Sequence, residues 1–202
     1  LDSSGEVNSS DLRSAASQLA ERLKPGALVL LRSTVPVGFT RNVLLPILED
    51  GSGLRLAEDF NLAFSPERTV AGEALKELRS LPQLVGGMTP RCLERATRFW
   101  TSLTHTVVQL PSPEAVEIAK LANNSFRNLS FAFANELGTL ASAYNLEVNE
   151  IIRAANNGYP RNPIPTAGPG VGGYCLPKDS ILLATSFHRS AELPLLCKDF
   201  IF

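Results

Sequence analysis

Apolar residues recur along the first half of the chain in two alternating rhythms. Leu12, Ala15, Ala16, Leu19 and Leu23 stand three or four apart, the period of a helix with one buried face. Ser10 or Asp11 occupies the capping position and Pro25-Gly26 ends the helix. Ala27-Leu28-Val29-Leu30-Leu31 then runs apolar without a break, as a parallel strand covered on both faces does. Thr40 to Leu48 reads as a second helix, and Phe60 to Phe64 and Gln83 to Val85 read as strands. Thr89-Pro90 supplies an N-cap and a first-turn proline for a helix through Trp100, and His105 to Leu110 is a last strand. This alternation predicts an α/β domain with a mainly parallel sheet, whose strand order the pattern leaves open.

The rhythm changes at Pro111-Ser112-Pro113. Ser112 as cap, Pro113 behind it and Glu114 in the first turn open a helix that continues to about Tyr144 with a single glycine, Gly138. Such a helix would be about 45–50 Å long. Its polar residues Lys120, Asn123, Asn124, Arg127, Asn128 and Asn135 run among apolar neighbours, which predicts packing against a second subunit or another domain. Glu147 to Ala155 reads as a further helix. Asn156 to Pro177, rich in glycine and proline, reads as a long irregular loop, and such loops are more often functional than not. The division expected is therefore an α/β part over 1–110 and a helical part over 111–202.

Composition adds mainly exclusions. The 202 residues are 44% hydrophobic and 19% charged with a formal charge of −1, which argues against a nucleic-acid or membrane-surface partner. Leu1 to Ser10 has no apolar signal core, and no stretch is apolar enough to span a bilayer. The three cysteines, Cys92, Cys175 and Cys197, share no metal spacing and are odd in number. The expectation is a soluble cytoplasmic protein with reduced thiols and no metal.

Candidate chemistry gathers in a few segments. Gly168, Gly170 and Gly173 satisfy G-x-G-x-x-G, but no strand precedes them, so the match is not read as a dinucleotide fingerprint. Those glycines instead allow backbone N–H groups to come close to a ligand. Cys175 follows in the same loop. A lone cysteine is most often a small buried hydrophobe, yet this one has Lys178 nearby, and a cation favours the reactive thiolate. Ser33-Thr34 follows the Ala27–Leu31 strand, and Ser65-Pro66-Glu67-Arg68 follows the Phe60–Phe64 strand. In parallel sheets ligands bind beyond the carboxyl ends of strands; a simple turn and a solvated acid are the plain alternatives. Lys120 and Asn124, four apart, share one helix face.

Taken in order, Ser33-Thr-Val-Pro-Val-Gly38, Phe64-Ser-Pro-Glu-Arg68, Glu117-Ile-Ala-Lys-Leu-Ala-Asn-Asn124 and Gly170-Val-Gly-Gly-Tyr-Cys-Leu-Pro-Lys-Asp179 resemble the UDP-glucose/GDP-mannose dehydrogenase family. With Arg161 upstream, the pattern is closer to its UDP-N-acetylhexosamine members. The resemblance implies a partial Rossmann-like parallel sheet followed by an all-α central dimerisation domain built on the long helix. It also implies NAD, a UDP-sugar substrate and a homodimer. Cys175 would be the nucleophile that forms a thiohemiacetal and then a thioester. Lys120 would stabilise the oxyanion with help from Asn124, and Glu67 would activate water. Asp179 would orient Lys120 or that water. Ser33, Thr34, Val35, Cys175 and Lys178 would line the cofactor. Glu67, Arg68, Lys120, Asn124, Arg161, Gly170 and Gly172 would meet the substrate, Arg161 across the dimer interface.

There are departures. The family's first strand with G-x-G-x-x-G and its later UDP-binding domain find no counterpart here, and Leu193 to Phe202 carries no motif that resembles the family. Position 71, a second acid in UDP-glucose enzymes, is Ala71. The isolated chain is therefore expected to bind NAD weakly or not at all, and an inactive dimerisation module is the competing reading. A cysteine hydrolase fares poorly, because neither His105 nor His188 lies in a base motif.

Overall fold

The computed structural model describes residues 8–70, 72–170 and 175–187. Ala71, Gly172, Gly173, His188, Cys197 and the 193–202 tail lie outside the described residues. The chain falls into two compact units, Leu1–Lys120 and Leu121–Phe202.

The apolar runs become the strands of the first unit: β1 (Leu28–Leu31), β2 (Asn61–Phe64), β3 (Gln83–Gly87) and β4 (Val107–Leu110), side by side in chain order. β1 pairs with β2 and β3 with β4 in parallel. β2 and β3 run antiparallel, so the sheet is more mixed than the mainly parallel one expected. The connections explain the difference. A parallel pair needs a crossover element with an apolar face to lay on the sheet. The stretch between β2 and β3 offers only α3 (Ala74–Ser80), which has no buried residue and which the apolar pattern does not announce. In consequence the carboxyl ends of β1 and β2 and the amino ends of β3 and β4 share one edge of the sheet.

Helices cover both faces. On one, α1 (Ser10–Ala20) and α2 (Leu45–Ser52) close over Leu31, Phe60, Leu62 and Phe64. On the other, α4 (Pro90–Thr101) lays Ala96 and Trp100 against Ala63 and Val85. Thr89 caps α4 as read from the sequence, its hydroxyl accepting the N–H of Cys92 at 3.2 Å. The helix read over Thr40–Leu48 is interrupted. Thr40–Leu44 is a π-helical turn in which the Leu45 N–H donates to Thr40 O, and α2 follows with Pro46 in its first turn.

The long helix is present as α5 (Pro113–Ala143). Val116, in its first turn, joins the core under the sheet. The second unit adds α6 (Val148–Asn156) and α7 (Cys175–Phe187). α7 corrects the reading of Asn156 to Pro177 as wholly irregular. Helix begins at Cys175, because a proline in the first turn gives up only an N–H that has no helical partner there. No helix of the described residues is long and apolar enough to cross a membrane.

Candidate active site

The candidate residues fall into two sets, one in each unit. In the first, the loops after β1 and β2 leave the sheet together and are tied by Arg32, a residue the sequence pattern did not single out. Its guanidinium pairs with Glu67 Oε2 and lies 4.7 Å from the centre of the Trp100 ring. Glu67 Oε1 accepts the N–H groups of Arg68 and Thr69, each at 2.8 Å. Burial works against the charge on Glu67, but the Thr69 N–H and Arg32 outweigh it and bring the carboxyl down to about 2. Glu67 is thus a fixed, ionised acceptor with little capacity to take up a proton at neutral pH. Arg68 is turned away to donate to Pro82 O at 3.1 Å.

In the loop after β1, Ser33 is exposed, Thr34 half-buried and Val35 buried. The loop is held from below by Glu117, the first residue of the Glu117–Asn124 segment. Glu117 is fully buried, and its carboxylate accepts from Gly38 N at 2.6 Å, Thr40 N at 3.0 Å and Thr40 Oγ1 at 2.6 Å. Burial pushes its carboxyl up from the ordinary range, opposed by those three donors. Beside it, Arg41 pairs with Glu114 at 2.6 Å. Lys120, one turn beyond Glu117 on α5, is half-buried.

In the second unit, Cys175 stands exposed at the start of α7, where the helix dipole favours negative charge. Asp179 follows one turn later and is almost fully buried at 1% exposure. Asn124 Nδ2 donates to its Oδ2 at 2.6 Å, and Lys178 Nζ lies 2.8 Å from its Oδ1. The structure therefore joins Asp179 to Asn124 and Lys178. One turn on, Asn128 Nδ2 donates to Ser180 Oγ at 3.2 Å, so α7 is pinned to α5 at two successive levels.

The loop that leads toward Cys175 is fastened by three asparagines. Asn156 exchanges two hydrogen bonds with the backbone of Ile164, at 2.8 and 2.9 Å. Asn149 Oδ1 accepts from Ala167 N at 3.1 Å, and Asn135 Oδ1 from Gly168 N at 3.0 Å. Gly170 adopts a φ of 109°, which explains a glycine there. Arg161 is exposed, its guanidinium 5.6 Å from the centre of the Tyr159 ring. The scattered polar residues of α5 now have a reason: Asn124, Asn128 and Asn135 serve α7 and the loop. Only the asparagines' spacing on one helix could have signalled it, since their partners lie far along the chain.

Comparison with known proteins identifies two family segments. Residues 1–104 match the NAD binding domain of the UDP-glucose/GDP-mannose dehydrogenase family, and residues 114–198 match its central domain. A UDP-N-acetyl-D-mannosamine dehydrogenase of Pyrococcus horikoshii is 38% identical over 87% of this chain and 41% of its own length. The enzyme of that name from Escherichia coli K12 is 36% identical over 90% of this chain and 44% of its own. The solved structure of the P. horikoshii UDP-D-ManNAc dehydrogenase superposes with a TM-score of 0.90 at 35% identity, over 98% of this chain and 46% of that one. An NDP-N-acetyl-D-galactosaminuronic acid dehydrogenase from Methanosarcina mazei superposes with a TM-score of 0.81 at 33% identity, over 94% of this chain and 41% of that one. The chain spans less than half the length of these curated relatives.

Proposed function

Because the chain belongs to the UDP-glucose/GDP-mannose dehydrogenase family, we propose that it carries the nucleophile-bearing part of an NAD-dependent UDP-sugar 6-dehydrogenase. The substrate is a UDP-N-acetylhexosamine or UDP-glucose, whose C6 alcohol is oxidised to the uronic acid. The observation that carries this reading is the exposed Cys175 one helical turn ahead of the buried Asp179 and its partners Asn124 and Lys178. A packing cysteine would be buried, and a packing helix start would not need a buried carboxyl group held from two sides.

The residues present fit one end of the cofactor. Ser33 and Thr34 offer hydroxyls beyond the carboxyl end of β1, with Val35 as an apolar floor, which suits an amide-bearing ring. A pyrophosphate needs backbone N–H groups from a glycine-rich strand-to-helix turn, and none follows β1 among the described residues. When bound, NAD supplies a hydride acceptor for each of two oxidations.

The first oxidation removes a hydride and the hydroxyl proton from the alcohol and leaves an aldehyde. The Cys175 sulfur then adds to the carbonyl carbon, and the thiol proton passes to the oxygen, giving a thiohemiacetal. Loss of the second hydride with the hydroxyl proton leaves a thioester. Water adds, the C–S bond breaks, and the acid and the Cys175 thiol are released. Lys120 is assigned the developing oxyanion, assisted by Asn124 as donor. Asp179 holds Asn124 and Lys178 in place for this work. Glu67, ionised and immobile, accepts a hydrogen bond from the attacking water, and the water's proton returns to the departing sulfur. Arg161, Gly170 and Gly172 are assigned to the sugar nucleotide.

The native state on this reading is a homodimer through α5. Phe126, Phe133 and Leu140 recur every seventh residue there and are 74%, 49% and 56% exposed, a stripe that suits a second copy of the helix.

Alkylation of the native chain, mapped by mass spectrometry, tests the reading. A UDP-N-acetylhexosamine at millimolar concentration should slow modification of Cys175. Labelling of Cys175 that is indifferent to every UDP-sugar would overturn it.

A further inference from the structure

We propose that Glu117 is a positioning residue: its carboxylate clamps the Gly38–Thr40 turn onto α5 and so fixes the Ser33–Val35 loop relative to the stretch of helix that bears Lys120. This deepens the dehydrogenase reading and rests on it for the meaning of that loop. The clamp itself rests on geometry alone.

Three donors from one turn converge on a side chain with no access to solvent. Gly38 N serves Oε2, while Thr40 N and Oγ1 both serve Oε1, across 77 to 79 positions of sequence. The turn is built to present them. Gly38 has a φ of +85°, and a Cβ there would stand 2.8 Å from Asn42 Nδ2, so only glycine holds this backbone without strain. Ser33, Thr34 and Val35 lie a few residues upstream, with Val35 and Phe39 buried as apolar pegs on either side of the turn. Lys120 follows Glu117 by three residues, on the neighbouring position of the same helix face.

Adhesion alone does not call for an ionisable group. Val116, fully buried next to it in sequence, already supplies apolar contact, and burying a carboxylate costs more desolvation than burying a hydrocarbon of like volume. What the carboxylate adds is direction, since charged hydrogen bonds are short and set angle as well as distance. A glutamine of the same shape fails in a defined way. Its amide can receive on one side only, and its NH2 faces an N–H donor. The Arg41–Glu114 pair, one turn earlier on α5, ties the same segment a second time on the surface. A stiff turn is therefore needed at this place, and Glu117 is the buried half of the fastening.

The test compares the 202-residue chain with its Glu117→Gln, Glu117→Asp and Thr40→Val variants. Amide hydrogen exchange and the kinetics of NADH formation from NAD and a UDP-N-acetylhexosamine are both followed. In Glu117→Gln the amides of Gly38 and Thr40 should exchange about ten- to a hundredfold faster, the loss of one or two charged hydrogen bonds, while Leu30 and Ala63 in the sheet keep their rates. Thr40→Val should show the same pattern more weakly, which keeps the question open to measurement if Glu117→Gln does not fold. Turnover in Glu117→Gln should fall through kcat with KM for the sugar nucleotide little changed, and Glu117→Asp should recover part of it. Uniform acceleration of every amide would mean a merely structural residue and overturn the proposal, as would unchanged exchange at Gly38 and Thr40 or an intact kcat in a variant whose turn has loosened. A wild-type chain that makes no NADH is the outcome expected of residues 1–202 alone, and the exchange pattern then upholds or overturns the clamp by itself.

Discussion

The side-chain amide of Asn124 donates to Asp179 Oδ2 at 2.6 Å, across 55 positions of sequence, in a place where Asp179 is 1% exposed. A buried carboxylate that loses a donor keeps its desolvation penalty and gives up the bond that offsets it. Asn124→Ala should therefore lower the stability of the chain by roughly 1.5–3 kcal/mol. Asp179→Ala removes the charge as well as the bond, and the double variant should cost less than the sum of the two, with a coupling of about 1 kcal/mol or more. Urea unfolding of the four proteins measures it. Strict additivity would mean that the contact contributes nothing.

The Arg32–Glu67 pair predicts a pH dependence of definite sign. The Glu67 carboxyl is lowered from 4.5 to about 2, so the folded state binds that proton less readily than the unfolded chain does. Its contribution is complete above about pH 5 and is lost as pH falls toward 2. Both partners are partly exposed, so screening holds the effect to roughly 1 kcal/mol. Glu67→Gln should flatten the fall of the urea midpoint over that range. Trp100, the single tryptophan, lies under Arg32 and reports the transition by its fluorescence. A variant that loses stability toward acid as steeply as the wild type would refute the assignment.

Local rhythm made much of this fold legible, and distance hid the rest. β1 stands out because it is an unbroken apolar run between turn residues, the other three strands because each holds two or three consecutive apolar residues, and the starts of α4 and α5 because Thr89-Pro90 and Ser112-Pro113 are complete local signals. The antiparallel join of β2 to β3 goes with an α3 that buries no residue fully and reaches the core only through the half-buried Leu78, and no run of residues announces that. The start of α7 was obscured by the glycines and prolines around it, although Pro177 sits where a helix tolerates proline. Among the candidate residues, types pointed to Cys175 in one unit and to Lys120 and Glu67 in the other, but not to what holds them. Arg32 reaches Glu67 over 35 positions and Glu117 reaches Thr40 over 77, spans that no periodicity records.

The stripe of Phe126, Phe133 and Leu140 on α5 should be covered in solution by a second copy of the chain. Large apolar side chains at the centre of such contacts carry most of the affinity. Phe133→Asp, which places a charge in the middle of the stripe, should weaken the dimer by about thirtyfold or more. Sedimentation equilibrium over a range of concentrations reads this directly. A monomeric wild type would remove the dimer, and a dimer that is indifferent to Phe133→Asp would move it to another surface.

Two glycines should respond to the same substitution with opposite signs. Gly138 lies inside α5, and a Cβ there would meet nothing nearer than Val148 Cγ1 at 3.9 Å, an ordinary contact. Gly138→Ala should raise stability by about 0.5–1 kcal/mol, because alanine loses less backbone freedom on entering a helix. Gly86, in β3, is different: its Cβ would stand 2.2 Å from the backbone oxygen of Ser112 and 2.7 Å from Val116 Cγ2. Backbone cannot swing aside as a side-chain tip can, so the strand or the start of α5 must move. Gly86→Ala should cost roughly 3 kcal/mol and should also disturb the Glu117 clamp, which sits one residue beyond Val116. Thermal unfolding separates the two variants. A stable Gly86→Ala protein with undisturbed exchange at Gly38 would show that the first turn of α5 does not pack against β3 as described.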